Sequence, residues 1–350
     1  MNNYFEQLNP KIKEYFEILS DEIPEFLYDY IDVPEMQYLG GICVACGTNY
    51  TNICENDMFF STLDHSIGVA LIVWNFTKDK KQTLAALFHD ISTPVFKHCV
   101  DFLNGDYETQ ESTEMLTTVI IKNSKEIMGL LKRDGIKVEE VNDYHIYPIA
   151  DNDTPKLSSD RLEYTLTNGL GVRKKVWNID TVKKVYNDIE VQKNENGIEE
   201  LGFKNVEYAE LFQKVSCKLG IEYMRNEIKI SMQFIADCLK KMIDKKYLCI
   251  EDLYKLSENE IINMIENCEN KEISEKFKMF RKTDKIIESD KPIANRYGIS
   301  LEVKKRYINP LVRMDDSFVR ISDVSSKSKK VLEDYFNFKT KKYAYLDFEF

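Results

Sequence analysis

Apolar residues recur every three to four positions along most of the chain, the spacing that gathers them on one face of a helix. "NPKIKEYFEILSDEI" near the start shows it, and so does "TVKKVYNDIEVQ" further on. Residues 65 to 78, "HSIGVALIVWNFTK", and 80 to 89, "KKQTLAALFH", are apolar over so much of their circumference that they predict two largely buried helices. "ESTEMLTTVIIKNSKEIMGLLKRDG" predicts one or two more, and the serines of "SSDRLEYTLTNGL" are of the type that caps a helix start. Apolar periodicity continues over several turns of residues 207 to 244, and 251 to 266, "EDLYKLSENEIINMIE", reads as two short capped helices.

The period changes in two places. "NENGIEE" around residue 197 is a polar turn, fit for a hairpin between "DIEVQ" and "LGFKN". In "ISLEVKKRYINPLVRMDDSFVRISDVS" β-branched and aromatic residues alternate, with Pro310 inside, and "KKYAYLDFEF" closes as a last strand. The pattern therefore predicts a mainly α protein, a helical bundle over residues 1–250 and a small appendage of helices and strands over 251–350. No repeat or low-complexity segment interrupts it.

Composition narrows the picture. The 350 residues suffice for a substantial core, and 43% hydrophobic with 31% charged is an ordinary globular balance. A net charge of -11 argues against general nucleic-acid binding, although local cations or a metal can still attract a phosphate compound. The eight cysteines stand singly apart from Cys43 and Cys46, and no second pair follows at zinc-site spacing, so buried thiols are expected. "MNNYFEQLNPKIKEYF" has no apolar signal region and no apolar run reaches membrane-span length, so the expected place is the cytoplasm.

Only four histidines occur, which makes "AALFHDIST" informative. His89 and Asp90 end an apolar helical run, where an unpaired polar pair is costly. Adjacent side chains converge on one point only where a helix is ending, and Pro94 discourages its continuation. His65 opens the preceding helix and Asp160 opens a later one. Two imidazoles and two carboxylates suit one divalent Mn, Fe, Ni, Co, Zn or Mg ion better than a thiolate set would. His98 and Asp101, three apart, share a face if their segment is helical. "DNDTP" lacks the remainder of a calcium-loop pattern and reads as a solvated loop, as do His145 and the basic run Lys304, Lys305 and Arg306. Trp74 and Trp177 are expected to pack.

"TLDHSIGVALIVWNF", "AALFHDISTPVFKHCVDF" and "SSDRLEYTL", in this order, resemble the HD superfamily of metal-dependent phosphohydrolases, and within it the deoxynucleoside triphosphate triphosphohydrolase branch. The motifs span roughly residues 60–170, with a weaker echo in "VKKRYINPLV" and "RISDVS" at 303–325. The resemblance implies His65, His89, Asp90 and Asp160 as metal ligands and Arg161 and Tyr164 as substrate-binding residues. It implies His98, Asp101 and Glu111 in catalysis. The implied substrate is a small phosphate compound, a nucleotide, and that branch often assembles into homo-oligomers.

Departures from the family pattern fall at Thr62 (Arg in the family), Thr93 (His), Gln110 in the "H-E" pair, and Asn168 (Asp). Three of these remove groups tied to phosphate binding or proton transfer. They keep open a nucleoside monophosphatase, a phosphodiesterase, or a degenerate HD domain that senses a nucleotide. A two-iron oxidative site would need further histidines, and Thr93 occupies one expected position.

Overall fold

The computed structural model describes residues 3–54, 56–108, 116–315 and 317–350. It is mainly α, with two small sheets. The central element is helix Thr62–Thr77, whose residues from Thr62 to Val73 are all buried. Its start is fixed by a reciprocal cap: Ser61 Oγ accepts from the Asp64 N–H, and the Asp64 carboxylate accepts from the Ser61 N–H. Helices Pro10–Leu19, Lys80–Phe88 and Ser159–Thr167 pack around it. That surrounding shell explains a helix apolar on every side, which only a protein interior tolerates.

Two long helices, Val206–Met224 and Asn226–Asp244, resolve the periodic stretch 207–244. They meet at Arg225, whose extended backbone (φ -64°, ψ 146°) ends one and begins the next. The 251–266 segment gives a single 3-10 turn, Ile250–Tyr254, and helix Glu258–Glu266 capped by Ser257.

The hairpin around residue 197 forms as β1 (Ile189–Lys193) and β2 (Glu199–Phe203), paired antiparallel with Ile189 opposite Phe203. Asn194 Oδ1 accepts from the N–H groups of Asn196 and Ile198, and Gly197 takes the left-handed conformation the turn requires (φ 73°). Strands β3 (Ile287–Ser289) and β4 (Gly298–Ile299) flank β7 (Tyr343–Tyr345) in the second sheet. The tail hairpin, β5 (Leu311–Met314) and β6 (Ser317–Arg320), adds to the first: β5 runs parallel to β2, with Gly202 opposite Leu311. The strands of the tail are thus shared with the chain before residue 250, and one buried apolar cluster extends from Ile12 to Phe348.

Cys43 and Cys46 are buried free thiols, and Trp177 is a core residue. Among the described residues no helix is long and apolar enough to cross a membrane.

Candidate metal centre and its cavity

Three helix ends meet at one point. His65 stands in the first turn of helix Thr62–Thr77. Helix Lys80–Phe88 stops immediately before His89, and the chain turns, with the Ile91 N–H on the Phe88 carbonyl and the Thr93 N–H on that of Asp90. Asp160 stands in the first turn of helix Ser159–Thr167, where Ser158 accepts from the Arg161 N–H.

The imidazoles face each other, His89 Nε2 lying 3.2 Å from His65 Nε2. Asp160 Oδ1 is 3.1 Å from His65 Nε2 and 3.8 Å from His89 Nε2. Asp90 Oδ2 lies 3.8 Å from His65 Nε2 and 3.5 Å from His89 Nε2. The opposite ring nitrogens are committed as donors: His65 Nδ1 to the Glu163 carboxylate, and His89 Nδ1 to the Ala86 carbonyl at 2.7 Å. With both Nδ1 atoms engaged, the two Nε2 atoms are the ring positions left to face a cation placed between them and the carboxylate oxygens. His65, His89 and Asp160 offer three donor atoms within 4.8 Å of one another. This nitrogen and oxygen set fits a divalent transition metal.

Electrostatics follow from the burial of the cluster. Burial lowers the His65 pKa, but the Glu163 and Asp160 carboxylates outweigh it and carry the ring up to about 10. His89, with burial dominant, is pushed below its ordinary value. Burial raises Asp90 and Asp160, yet neighbouring positive charge reverses this and holds both well below the usual carboxylate range, Lys97 acting chiefly on Asp90 and His65 on Asp160.

Glu163, fully buried, is the partner that orients His65, and it also accepts from Tyr15 OH at 3.2 Å. Sequence reasoning passed over it, although it stands one turn from Asp160 and a metal-binding imidazole normally has such a carboxylate behind it.

Lys97 was also missed. Its Nζ lies 2.5 Å from Asp90 Oδ2, while the other Asp90 oxygen accepts from Thr93 Oγ1 at 3.1 Å. Phe96 and Lys97 are both left-handed, with φ of 60° and 44°, a conformation costly for side chains of their size. The turn is held from outside by the Val95 N–H on the Leu253 carbonyl and the Phe96 N–H on Glu258 Oε1.

A cavity of about 590 Å³ opens over these groups. His98, Arg161 and Tyr164 line it. His98 Nδ1 donates to the fully buried Asp101 at 2.8 Å, and burial holds the ring below its ordinary pKa. Arg161 reaches Asn152 Oδ1 at 2.7 Å and lies 3.4 Å from buried Asp151, so "DNDTP" is partly a wall of the cavity rather than a solvated loop. His145 is half-exposed at the same wall. Lys304 and Arg306, expected as part of a solvated patch, line the cavity too, along with Arg173. Long-range folding brings these cations together, and no local pattern announces it. Of the departures, Thr62 is fully buried, Thr93 serves Asp90, and Asn168 donates to the Tyr164 carbonyl at 2.6 Å. Glu111 and Gln110 lie outside the described residues.

No protein-family model matches the chain. It is 26% identical over 292 residues to the uncharacterized protein YdhJ of Bacillus subtilis, covering 81% of this chain and 83% of that one. It is 25% identical over 163 residues to the metal-dependent phosphohydrolase cns2 of Cordyceps militaris, 45% of this chain and 44% of that protein. Its fold matches a hypothetical protein from Aquifex aeolicus (TM-score 0.62, 19% identity, 93% of both chains). It also matches a phosphohydrolase from Bacteroides thetaiotaomicron (TM-score 0.59, 15% identity, 93% and 96% of the chains). In sequence the chain is thus similar to a protein named as a metal-dependent phosphohydrolase, and in fold to one named as a phosphohydrolase.

Proposed function

We propose that the chain is an HD-type metal-dependent phosphohydrolase that acts on a nucleotide. The observation that carries this reading is the convergence of the His65 and His89 Nε2 atoms with Asp160 and Asp90 on one point under a cavity lined by Arg161, Arg173, Lys304 and Arg306. His65, His89, Asp90 and Asp160 would hold one divalent metal, which supplies Lewis acidity to a phosphoryl oxygen and acidifies water.

The remaining steps belong to the chain's own side chains. Arg161 is anchored by Asn152, which fixes the direction of a guanidinium suited to phosphate oxygens. His98 is neutral near pH 7, and with Nδ1 donating to Asp101 its Nε2 is the free acceptor. It takes a proton from attacking water and returns it to the leaving oxygen as the bond to phosphorus breaks. Tyr164 narrows the cavity beside Arg161. A deoxynucleoside triphosphate is the favoured substrate, because the order of the three motifs resembles that branch. A monophosphate or a phosphodiester is the alternative within the same chemistry.

A second reading, a nucleotide-binding module without turnover, is favoured by uncharged Thr62 and Thr93 where the resembling family has bases. Purified protein incubated with a nucleotide panel and Mn²⁺, Ni²⁺, Co²⁺ or Mg²⁺ decides, with Asp90→Ala as control. Tripolyphosphate release supports the triphosphohydrolase, and orthophosphate release from monophosphates the alternative. Binding of nucleotide with no product from any of them leaves only the module.

A further inference from the structure

The ligand set does not require Lys97. Thr93 already orients Asp90 through a neutral hydroxyl at 3.1 Å. The Lys97 ammonium sits on the other oxygen, which is itself 3.5 Å from His89 Nε2 and 3.8 Å from His65 Nε2. A fixed positive charge so near a divalent cation repels it. Its presence has a physical reason if an anion is brought to the same place.

The local charge balance supplies that reason. Asp90, Asp160 and Glu163 set against one divalent metal leave a net negative charge, which opposes the approach of any phosphate. Lys97 cancels it. Arg161 is held by Asn152 and Asp151 and Arg173 by Thr48, away from the ligand set, whereas the Lys97 ammonium bonds one of the proposed metal ligands itself. Thr62 and Thr93 contribute no charge. Lys97 is also held in place. Its turn carries two successive left-handed residues, the Phe96 ring is buried edge-on against Tyr50, and the Val95 N–H donates to the Leu253 carbonyl and the Phe96 N–H to the Glu258 carboxyl. A side chain on such a turn is only 11% exposed and faces the cavity.

We propose that Lys97 is a phosphate-binding residue of this centre, its ammonium passing from the Asp90 carboxylate to a non-bridging oxygen of the incoming phosphoryl group. The proposal rests on the phosphohydrolase reading above. It makes Lys97 a competitor of the metal for Asp90 and a partner of the anion, so its removal shifts the two affinities in opposite directions.

The test uses the full chain stripped of metal. Calorimetry titrates Mn²⁺ into it, then inorganic phosphate into the Mn²⁺-loaded protein, for wild type, Lys97→Met and Lys97→Gln. Each variant is expected to bind Mn²⁺ about threefold or more tighter and phosphate about tenfold or more weaker. Glutamine keeps a donor for Asp90, so it serves where the methionine variant fails to fold. Unchanged phosphate affinity, or Mn²⁺ affinity that is unchanged or weaker, overturns the proposal, because a lysine that only props Asp90 would loosen the metal. Wild-type protein that binds no Mn²⁺ removes the metal-centre reading itself, and the role of Lys97 with it. Wild type that binds both probes, with variants that match it, removes only the role of Lys97.

Discussion

Gly68 faces Glu163 so closely that a Cβ at position 68 would lie 2.9 Å from Glu163 Cγ. The absent side chain lets helix Ser159–Thr167 approach helix Thr62–Thr77 until the carboxylate reaches His65 Nδ1. Gly68→Ala is expected to cost roughly 1–3 kcal/mol of stability by overpacking. It is also expected to loosen the metal by displacing Glu163. Glu163→Gln removes the charge behind His65 without adding volume and is expected to weaken metal about 10- to 100-fold. Thermal melts and metal titrations of the two variants separate the packing effect from the electrostatic one.

Metal and fold are linked at this site, because His65, His89, Asp90 and Asp160 come from separate segments and converge only in the folded chain. Metal at about 100 times its dissociation constant is expected to raise the unfolding free energy by about 2.7 kcal/mol, and a chelator to reverse this. His89→Ala and Asp160→Ala are each expected to abolish the rise in melting temperature. A rise that persists in both would place the metal elsewhere.

Arg320 joins the tail hairpin to the loop that leads into Asp160. Its guanidinium bonds Glu200 Oε1 at 2.6 Å and Oε2 at 2.9 Å, and fully buried Glu200 accepts in turn from the Leu157 N–H. Arg320→Met leaves a buried carboxylate without its cation, at a cost of roughly 3–5 kcal/mol. Denaturant unfolding measures it. Arg320→Met with Glu200→Leu is expected to recover much of the loss, since the uncompensated charge is then gone too.

Glu258 gives stability a pH dependence. Burial pushes its carboxyl up from 4.5 to about 7, despite hydrogen bonds from Tyr50 and the Cys43 and Phe96 N–H groups. Between these values the folded chain keeps a proton that the unfolded chain releases. The contribution is therefore fully present below about pH 4.5 and lost as pH rises to about 7, a span on the order of 3 kcal/mol. Glu258→Gln does not titrate. The difference in unfolding free energy between wild type and variant, followed from pH 4.5 to 8, is expected to fall and then level; a flat difference would show that the carboxyl ionises normally.

The helices around the centre were legible because their signals are local: serine caps, apolar stripes, and a histidine–aspartate pair where a helix must stop. The hairpin at Gly197 was legible for the same reason. The parallel pairing of β2 with β5 was not, since Gly202 and Leu311 lie far apart in sequence and neither strand's alternation names its partner. The site divides the same way. His65, His89, Asp90 and Asp160 sit in recognisable motifs and meet in space. Lys97 lies inside one of those motifs, but its orientation depends on two left-handed residues that no propensity predicts. Arg173, Lys304 and Arg306 reach the cavity only through the long-range fold.

The turn that carries Lys97 is fastened by Leu253 and Glu258, which follow it by about the length of a whole typical domain. A ribosome therefore delivers the metal ligands well before the residues that set the lysine beside them. His65, His89 and Asp160 all precede residue 161, while the bonds that hold the left-handed turn come from residues 253 and 258. On the proposed reading, the order of synthesis is therefore also the order metal ligands first, phosphate ligand last.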